Sequence, residues 1–330
     1  MDFKELFWNA TNEEYFNTGM HHSLMSDFLE NGFRQDWTQT FERTPALVIG
    51  SAVDCILTNG GYEAYKNEFF DAGSIDEKSV QFAAYLADNA ISDIEPSVVI
   101  NFLDTINWQS NWKPETRVAK FLEKFGPGVD LIRKNPGKTG ISESEKRTAF
   151  KCVEALRQHP QCWFFKEGFK NDPNSPVQVY FQPKMKMAVR NVLYAIMFDV
   201  LVVDFEERRI YPMDLKTCTC EEWNFRDNFK KFHYDIQARL YSRILRLAIN
   251  ETEEFKDMEI MPFTFIVCSK QTFTPLLFEY DDNLEIGDLE YGRFKSRDPF
   301  DVGSEIQQYI ATNAKVPRWI DQNGINQLNL

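Results

Sequence analysis

No apolar run in this 330-residue chain reaches the roughly 18 residues of a membrane span, because Asp199 interrupts the best stretch, residues 195–203. A basic-then-apolar leader is missing as well. The chain starts Met-Asp-Phe-Lys-Glu, so an intracellular, cytoplasmic protein is expected. Positive charge is scarce: 37 Lys and Arg stand against 50 Asp and Glu, a balance of −13 that excludes a broadly basic nucleic-acid coat protein. The six cysteines, at 55, 152, 162, 218, 220 and 268, show no disulfide framework and no C-x2-C pairs of a zinc or iron–sulfur site. Their nearest approaches, Cys218-x-Cys220 and the trio Cys152, His159 and Cys162, read better as buried reduced thiols. Internal repeats and low-complexity tracts are absent too.

What the chain does have is apolar content. Hydrophobic residues make up 43%, with 29 phenylalanines, which supplies a core and excludes general disorder. At about 150 residues per domain, the length allows two domains or one elaborated one, and the second is the expectation. Residues 1–125 read as a mostly helical part, with helical spacing over 23–31, 46–57, 62–70 and 79–90. Residues 126–141, rich in Gly and Pro, read as a loop or linker ahead of a core over 142–330. Ser142-Glu-Ser-Glu145 is a capping-box pattern, and its helix should end before His159-Pro160. From 193 the residues become β-branched and aromatic. Residues 193–205 and 209–217 predict a hairpin, followed by a long amphipathic helix over about 227–249, strands at 261–269 and 274–280, and a short helix around 303–312. The fold class expected is α/β, a central mixed sheet flanked by helices.

Chemistry concentrates at Asp199 and Asp214-Leu-Lys216. Carboxylates on neighbouring strands can converge and offer the hard oxygen ligands that Mg²⁺ takes. Strand alternation puts Asp214 and Lys216 on one face, with Leu215 turned to the core and its backbone carbonyl available to a metal. A lysine beside that metal can orient or activate water and offset charge in a phosphoryl transition state. A surface hairpin with solvated charges would show the same pattern. The apolar neighbours Met197, Phe198, Val200, Met213 and Leu215 argue against it, since buried charge is costly unless paired or metal-bound. Downstream, Gln237 and Tyr241 share a helix face at i, i+4. Upstream, Gly50-Ser-Ala-Val-Asp54 places a carboxylate on a helix.

Together, Gly50-x3-Asp54, Asp199, Asp214-Leu-Lys216 and Gln237-x3-Tyr241 resemble the PD-(D/E)xK nuclease superfamily, and more narrowly its phage and prophage exonuclease VIII-like, RecB-type branch. His22-Ser-Leu-Met-Ser26, Thr44-Pro-Ala-Leu-Val-Ile-Gly-Ser-Ala52, His159-Pro160 and Val316-Pro-Arg-Trp319 are similar to further landmarks of that branch. Asp54 stands where the family usually has histidine, and phenylalanine rather than proline precedes Asp199. The resemblance implies a PD-(D/E)xK fold with one or two Mg²⁺ or Mn²⁺ ions held by Asp54, Asp199, Asp214 and the Leu215 carbonyl. Lys216 would act on water, and Gln237 and Tyr241 would steady the scissile strand or the water. It implies exonucleolytic hydrolysis of linear double-stranded DNA, 5′-to-3′, leaving 3′ overhangs, in phage-type recombination or end processing. The implied partners are DNA ends, a single-strand annealing recombinase and further copies of the chain in a ring, inside a bacterial host cell. Two alternatives stay open: an endonuclease or single-strand-specific nuclease of the same fold, and a nuclease-fold protein that binds without cutting.

Two basic clusters flank the predicted site: Lys184, Lys186 and Arg190 before it, and Arg226, Lys230, Lys231 and Arg239, with Arg243 and Arg246, after it. Each is a candidate for DNA phosphate contact or for a solvated face. Trp8, Trp37, Trp108, Trp112 and Trp163 suit packing better than base stacking. His21 and His22 read as capping or surface residues, and His233 falls one turn before Gln237.

Overall fold

The computed structural model describes residues 2–32, 44–73, 75–280, 290–291 and 294–312. Trp37 and Val316-Pro-Arg-Trp319 lie outside the described residues. The protein is a mixed α/β structure that divides into two compact units. One comprises Met1–Ala46, Leu57–Asn59 and Cys152–Leu330; the other Leu47–Ile56 and Gly60–Lys151. Residues 1–46 therefore belong with the later part of the chain and not with a separate N-terminal part.

In chain order the helices are α1 Asn12–Phe16, α2 His22–Asn31, α3 Pro45–Thr58, α4 Gly61–Glu68, α5 Glu77–Asp88, α6 Pro96–Thr105, α7 Pro114–Lys134, α8 Glu143–Gln158, α9 Phe225–Lys231, α10 Tyr234–Asn250 and α11 Pro299–Thr312. The strands are β1 Phe69–Asp71, β2 Thr139–Ile141, β3 Val177–Phe181, β4 Lys184–Val189, β5 Val192–Met197, β6 Val200–Asp204, β7 Arg209–Cys218, β8 Glu259–Ile260, β9 Phe263–Ser269, β10 Pro275–Tyr280, β11 Glu290–Tyr291 and β12 Phe294–Lys295.

The first unit is built on a mixed sheet in the order β10-β9-β7-β6-β3, with β8 also on β7. β7 runs parallel to β9 and antiparallel to β6. The apolar run Val200-Leu-Val-Val203 is buried throughout, as expected of an interior strand. Pro212 is tolerated inside β7 because it falls where one edge changes partner, from β8 at Ile210 to β9 at Met213. α10 packs against β4, β5, α2 and α11, and the core between them includes Phe198, Tyr241, Ile244, Phe263 and Phe265.

The expected hairpin differs in one instructive respect. Residues 200–204 and 209–213 pair as predicted, around the 205–208 turn. Residues 192–197 do not continue that strand; they pair with β4, in a separate two-stranded ribbon. The alternation of apolar residues is the same for either partner, so the pattern alone could not reveal the switch.

The second unit is mainly helical, with α5, α6 and α7 packed around Phe82, Phe102, Phe121, Phe125 and Val129. The predicted linker 126–141 is corrected here: α7 continues through Gly126-Pro-Gly128 to Lys134, and only then turns into β2. Gly128 serves helix packing rather than a turn. A Cβ there would meet Ser79 Oγ at 2.6 Å, and that hydroxyl donates to Phe125 O at 3.0 Å. The Ser142–Glu145 capping box forms, and α8 ends at Gln158 as read.

Candidate functional site

The site starts from the strand switch. β5 stops at Met197 and β6 begins at Val200, so Phe198 and Asp199 occupy the step between two sheets. Phe198 anchors it: the side chain is fully buried against Tyr241 and Phe263, at ring distances of 5.3 and 6.3 Å. β6 leaves the edge of β7 uncovered beyond Met213. There the Leu215 amide donates instead to Asp199 Oδ2, at 2.6 Å. A strand residue sends its N–H and C=O out by the same edge, so the Leu215 carbonyl opens on this side as well.

Asp214 is only 3% exposed, and a buried carboxylate must be compensated. Two side chains do this. Lys216, two residues along the same face, forms an ion pair with Oδ2. Gln237 Nε2 donates to Oδ1 at 2.5 Å. Burial works against the Lys216 charge, but Asp214, Tyr234 and Asp199 outweigh it and hold the ammonium above its usual range. That ammonium also sits 4.7 Å from the Tyr234 ring centroid.

Tyr241, one turn after Gln237, is buried and shares a hydrogen bond with Tyr15. Burial raises both phenols, Tyr15 to about 12 and Tyr241 well above its ordinary value, with Asp199 and Asp214 adding to the effect. Asp199, Asp214, Lys216, Gln237 and Tyr241 are thus brought together. Tyr15 and Tyr234 join them without having been read from the sequence. Tyr234 could have been found as the residue one turn before Gln237 on the same helix; Tyr15 carries no local signal.

The long helix expected at 227–249 is broken. α9 ends at Lys231 and α10 starts at Tyr234, with His233 in the left-handed region at φ 52°. The carbonyls at this break are met from α2. His22 Nε2 lies 3.1 Å from His233 O, and Ser26 Oγ donates to Phe232 O at 3.0 Å. Facing a carbonyl, Nε2 must carry the proton. His22 is half-buried with its ring engaged at this break; burial pushes its pKa down to about 3, and Lys216 contributes in the same direction. His21 occupies the N-cap position of α2 but makes no side-chain cap.

Of the basic candidates, Arg239 is corrected. It is fully buried, and its Nε donates to Tyr280 Oη at 2.8 Å, so no phosphate can reach it. Helix position explains the difference: Arg239 lies between Gln237 and Tyr241, on a turn enclosed by sheet and helices. Arg243 pairs with Asp298, and Arg246 donates to Met258 O. Lys186 is exposed over the Trp8 ring at 4.6 Å, and Lys184 is half-buried. Arg190 sits at the β4–β5 turn in an exposed ion pair with Asp301 at 2.6 Å. Arg226 and Lys231 are exposed on α9, and Lys230 is half-buried there.

Asp54 lies half-buried near the middle of α3 and belongs to the second unit. The six cysteines are free thiols, all buried except the half-buried Cys220. Among the described residues, no three His, Cys, Asp or Glu side chains are grouped as a metal-binding set. A magnesium site does not require one, since Mg²⁺ is usually held by one or two carboxylates with waters and phosphate oxygens. The donor chemistry present fits that demand. Asp214 Oδ2 receives no well-aligned hydrogen bond beyond its ion pair, and Gln237 Oε1 is buried with no hydrogen-bond partner. Such oxygens are acceptors for a cation or its water.

Compared with protein-family models and with curated proteins, the chain matches none. No helix among the described residues is long and apolar enough to cross a membrane.

Proposed function

We propose that this protein is a metal-dependent deoxyribonuclease of the PD-(D/E)xK type, acting on the ends of linear double-stranded DNA. One observation carries the reading: a buried Asp214 shared between Lys216 and Gln237, beside an Asp199 carboxylate docked on the uncovered edge of the same strand. A solvated surface hairpin has no reason to bury such a group.

Asp199, Asp214 and the Leu215 carbonyl would hold Mg²⁺ or Mn²⁺. A bound ion supplies Lewis-acid polarisation of a phosphoryl oxygen and a more acidic water. Gln237 fixes the Asp214 carboxylate through Oδ1. Lys216 places a positive charge where negative charge builds on the attacked phosphate. Tyr241, held by Tyr15, steadies the water or the scissile strand. In the net reaction a water oxygen bonds to phosphorus, one P–O ester bond breaks and the leaving oxygen takes a proton. Lys231, Arg226 and Lys186 suit the phosphate backbone. The polarity proposed is 5′-to-3′, giving a 3′ overhang for an annealing recombinase, with the enzyme assembled as a ring in a phage or prophage context.

The test is to incubate linear duplex, covalently closed circle and single strands with Mg²⁺, using the wild type and Lys216→Ala. Cleavage of linear duplex alone, lost in the variant, is the expected outcome. Cutting of closed circles would establish an endonuclease instead. No Mg²⁺- or Mn²⁺-dependent cleavage of any substrate would leave a binding protein.

A further inference from the structure

The N-terminal segment 11–26 is fastened to both halves of the site at points far apart in the chain. A Thr11–Glu14 capping box starts α1, which presents Tyr15 to Tyr241. Past α1, the backbone of Met20 bridges to β5: its N–H donates to Leu193 O at 2.7 Å, and its carbonyl accepts from Ala195 N at 3.0 Å. β5 is the strand that runs into Asp199. Gly19 makes this close approach possible, because it holds φ 74° and a Cβ there would fall 2.7 Å from Leu193 O. Immediately afterwards, His22 and Ser26 reach the Phe232–His233 break that opens α10.

That break is costly unless braced. A non-glycine residue in the left-handed region is strained, and the Phe232 and His233 carbonyls lie past the end of α9, the second also accepting from Ile236 N at 3.0 Å and Gln237 N at 3.4 Å. His22 and Ser26 provide two donors from a different element. In doing so they fix where the first turn of α10 begins, and Gln237 and Tyr241 lie in that turn and the next. An uninterrupted helix would carry both residues onward in a different rotation.

We propose that segment 11–26 works as a brace for the site, with His22 as its principal positioning residue: through the His233 carbonyl it sets the rotation at which α10 delivers Gln237 to Asp214. The kinetic part rests on the nuclease reading, whereas the structural part does not. Replacing His22 by alanine removes the donor. Glutamine retains an N–H at the position of Nε2.

The experiment compares wild type, His22→Ala and His22→Gln by hydrogen exchange at the amides of residues 234–238 and by steady-state cleavage of linear duplex with Mg²⁺. His22→Ala should speed exchange in that segment by about tenfold while α5–α7 stay unchanged. Its kcat should fall by about 10- to 100-fold with KM for DNA within about twofold. His22→Gln should restore most of both. Unchanged exchange in His22→Ala, or exchange in His22→Gln as fast as in alanine, overturns the brace. Faster exchange with an equal loss in kcat/KM carried by KM overturns the positioning role. If the wild type cleaves nothing, the nuclease reading fails, and the exchange comparison still decides the brace.

Discussion

Asp199 Oδ2 takes the Leu215 amide at 2.6 Å, so a side chain completes the edge of β7 where strand pairing with β6 has ended. That contact needs an acceptor, not a charge; a metal needs the charge. Asp199→Asn should therefore fold with a melting point close to wild type, yet lose at least about 100-fold in Mg²⁺-dependent cleavage. Thermal unfolding and a duplex-degradation assay on the same preparation check the pair. A large drop in melting point would show that the carboxylate is mainly structural.

Lys216 provides the charge that compensates a carboxylate only 3% exposed. Lys216→Ala should lower stability by about 3 kcal/mol, the low end for breaking a buried pair, since the Lys216 side chain keeps 20% exposure. Millimolar Mg²⁺ should recover more stability in this variant than in wild type, by taking over the ammonium's role beside Asp214. Urea unfolding with and without Mg²⁺ measures both. Equal Mg²⁺ effects on the two proteins would count against Asp214 as a ligand.

Arg239 and Lys231 test which basic residues meet DNA. Arg239 lies beneath the surface on Tyr280, so Arg239→Ala should destabilise the fold and leave the salt dependence of DNA binding unchanged. Lys231 is exposed, and Lys231→Ala should reduce the log–log salt slope by about 1. Fluorescence anisotropy over a salt series distinguishes the two.

His22 gives stability a pH dependence with a definite sign. Its pKa is about 3 in the folded protein and 6.5 ordinarily, so between these values the unfolded chain binds a proton that the native one does not. Stability from this group is complete above about pH 6.5 and falls as pH drops toward 3, by up to about 1.4 kcal/mol per pH unit. His22→Gln should flatten that limb of a stability–pH curve. An unchanged slope would mean that the imidazole is protonated in the native state.

Gly128 reports on the helix that replaced the expected linker. Gly128→Ala puts a methyl against Ser79, 2.6 Å from Oγ and 2.9 Å from Cβ, and should cost about 1–3 kcal/mol. Gly126→Ala, whose Cβ meets nothing closer than 3.9 Å, should be neutral or slightly stabilising. Chemical denaturation of both variants checks the contrast. Equal effects would place 126–128 outside a helix interface.

Much of the candidate site was legible because its signals are local. Strand alternation puts Asp214 and Lys216 on one face, and helical spacing puts Gln237 and Tyr241 on one face, whatever else the chain does. The β-branched run into β6, the turn at 206–208, the Ser142–Glu145 cap and the stop before Pro160 are likewise written within a few residues of where they act. Tertiary structure alone decided the rest. Whether 192–197 pairs with β4 or extends β6 is invisible to a two-residue period that serves both partners. The break at His233 depends on donors supplied by His22 and Ser26. Arg239 reads as a phosphate contact or a solvated face because a basic residue on a helix is usually exposed; here sheet and helices enclose its turn and Tyr280 accepts from it. Pro127 and its glycines read as a linker because local propensity favours one, and packing of α5 against α7 overrides it. Local periodicity dictates which side chains share a face, while the choice among faces, partners and breaks belongs to contacts between residues distant in the chain.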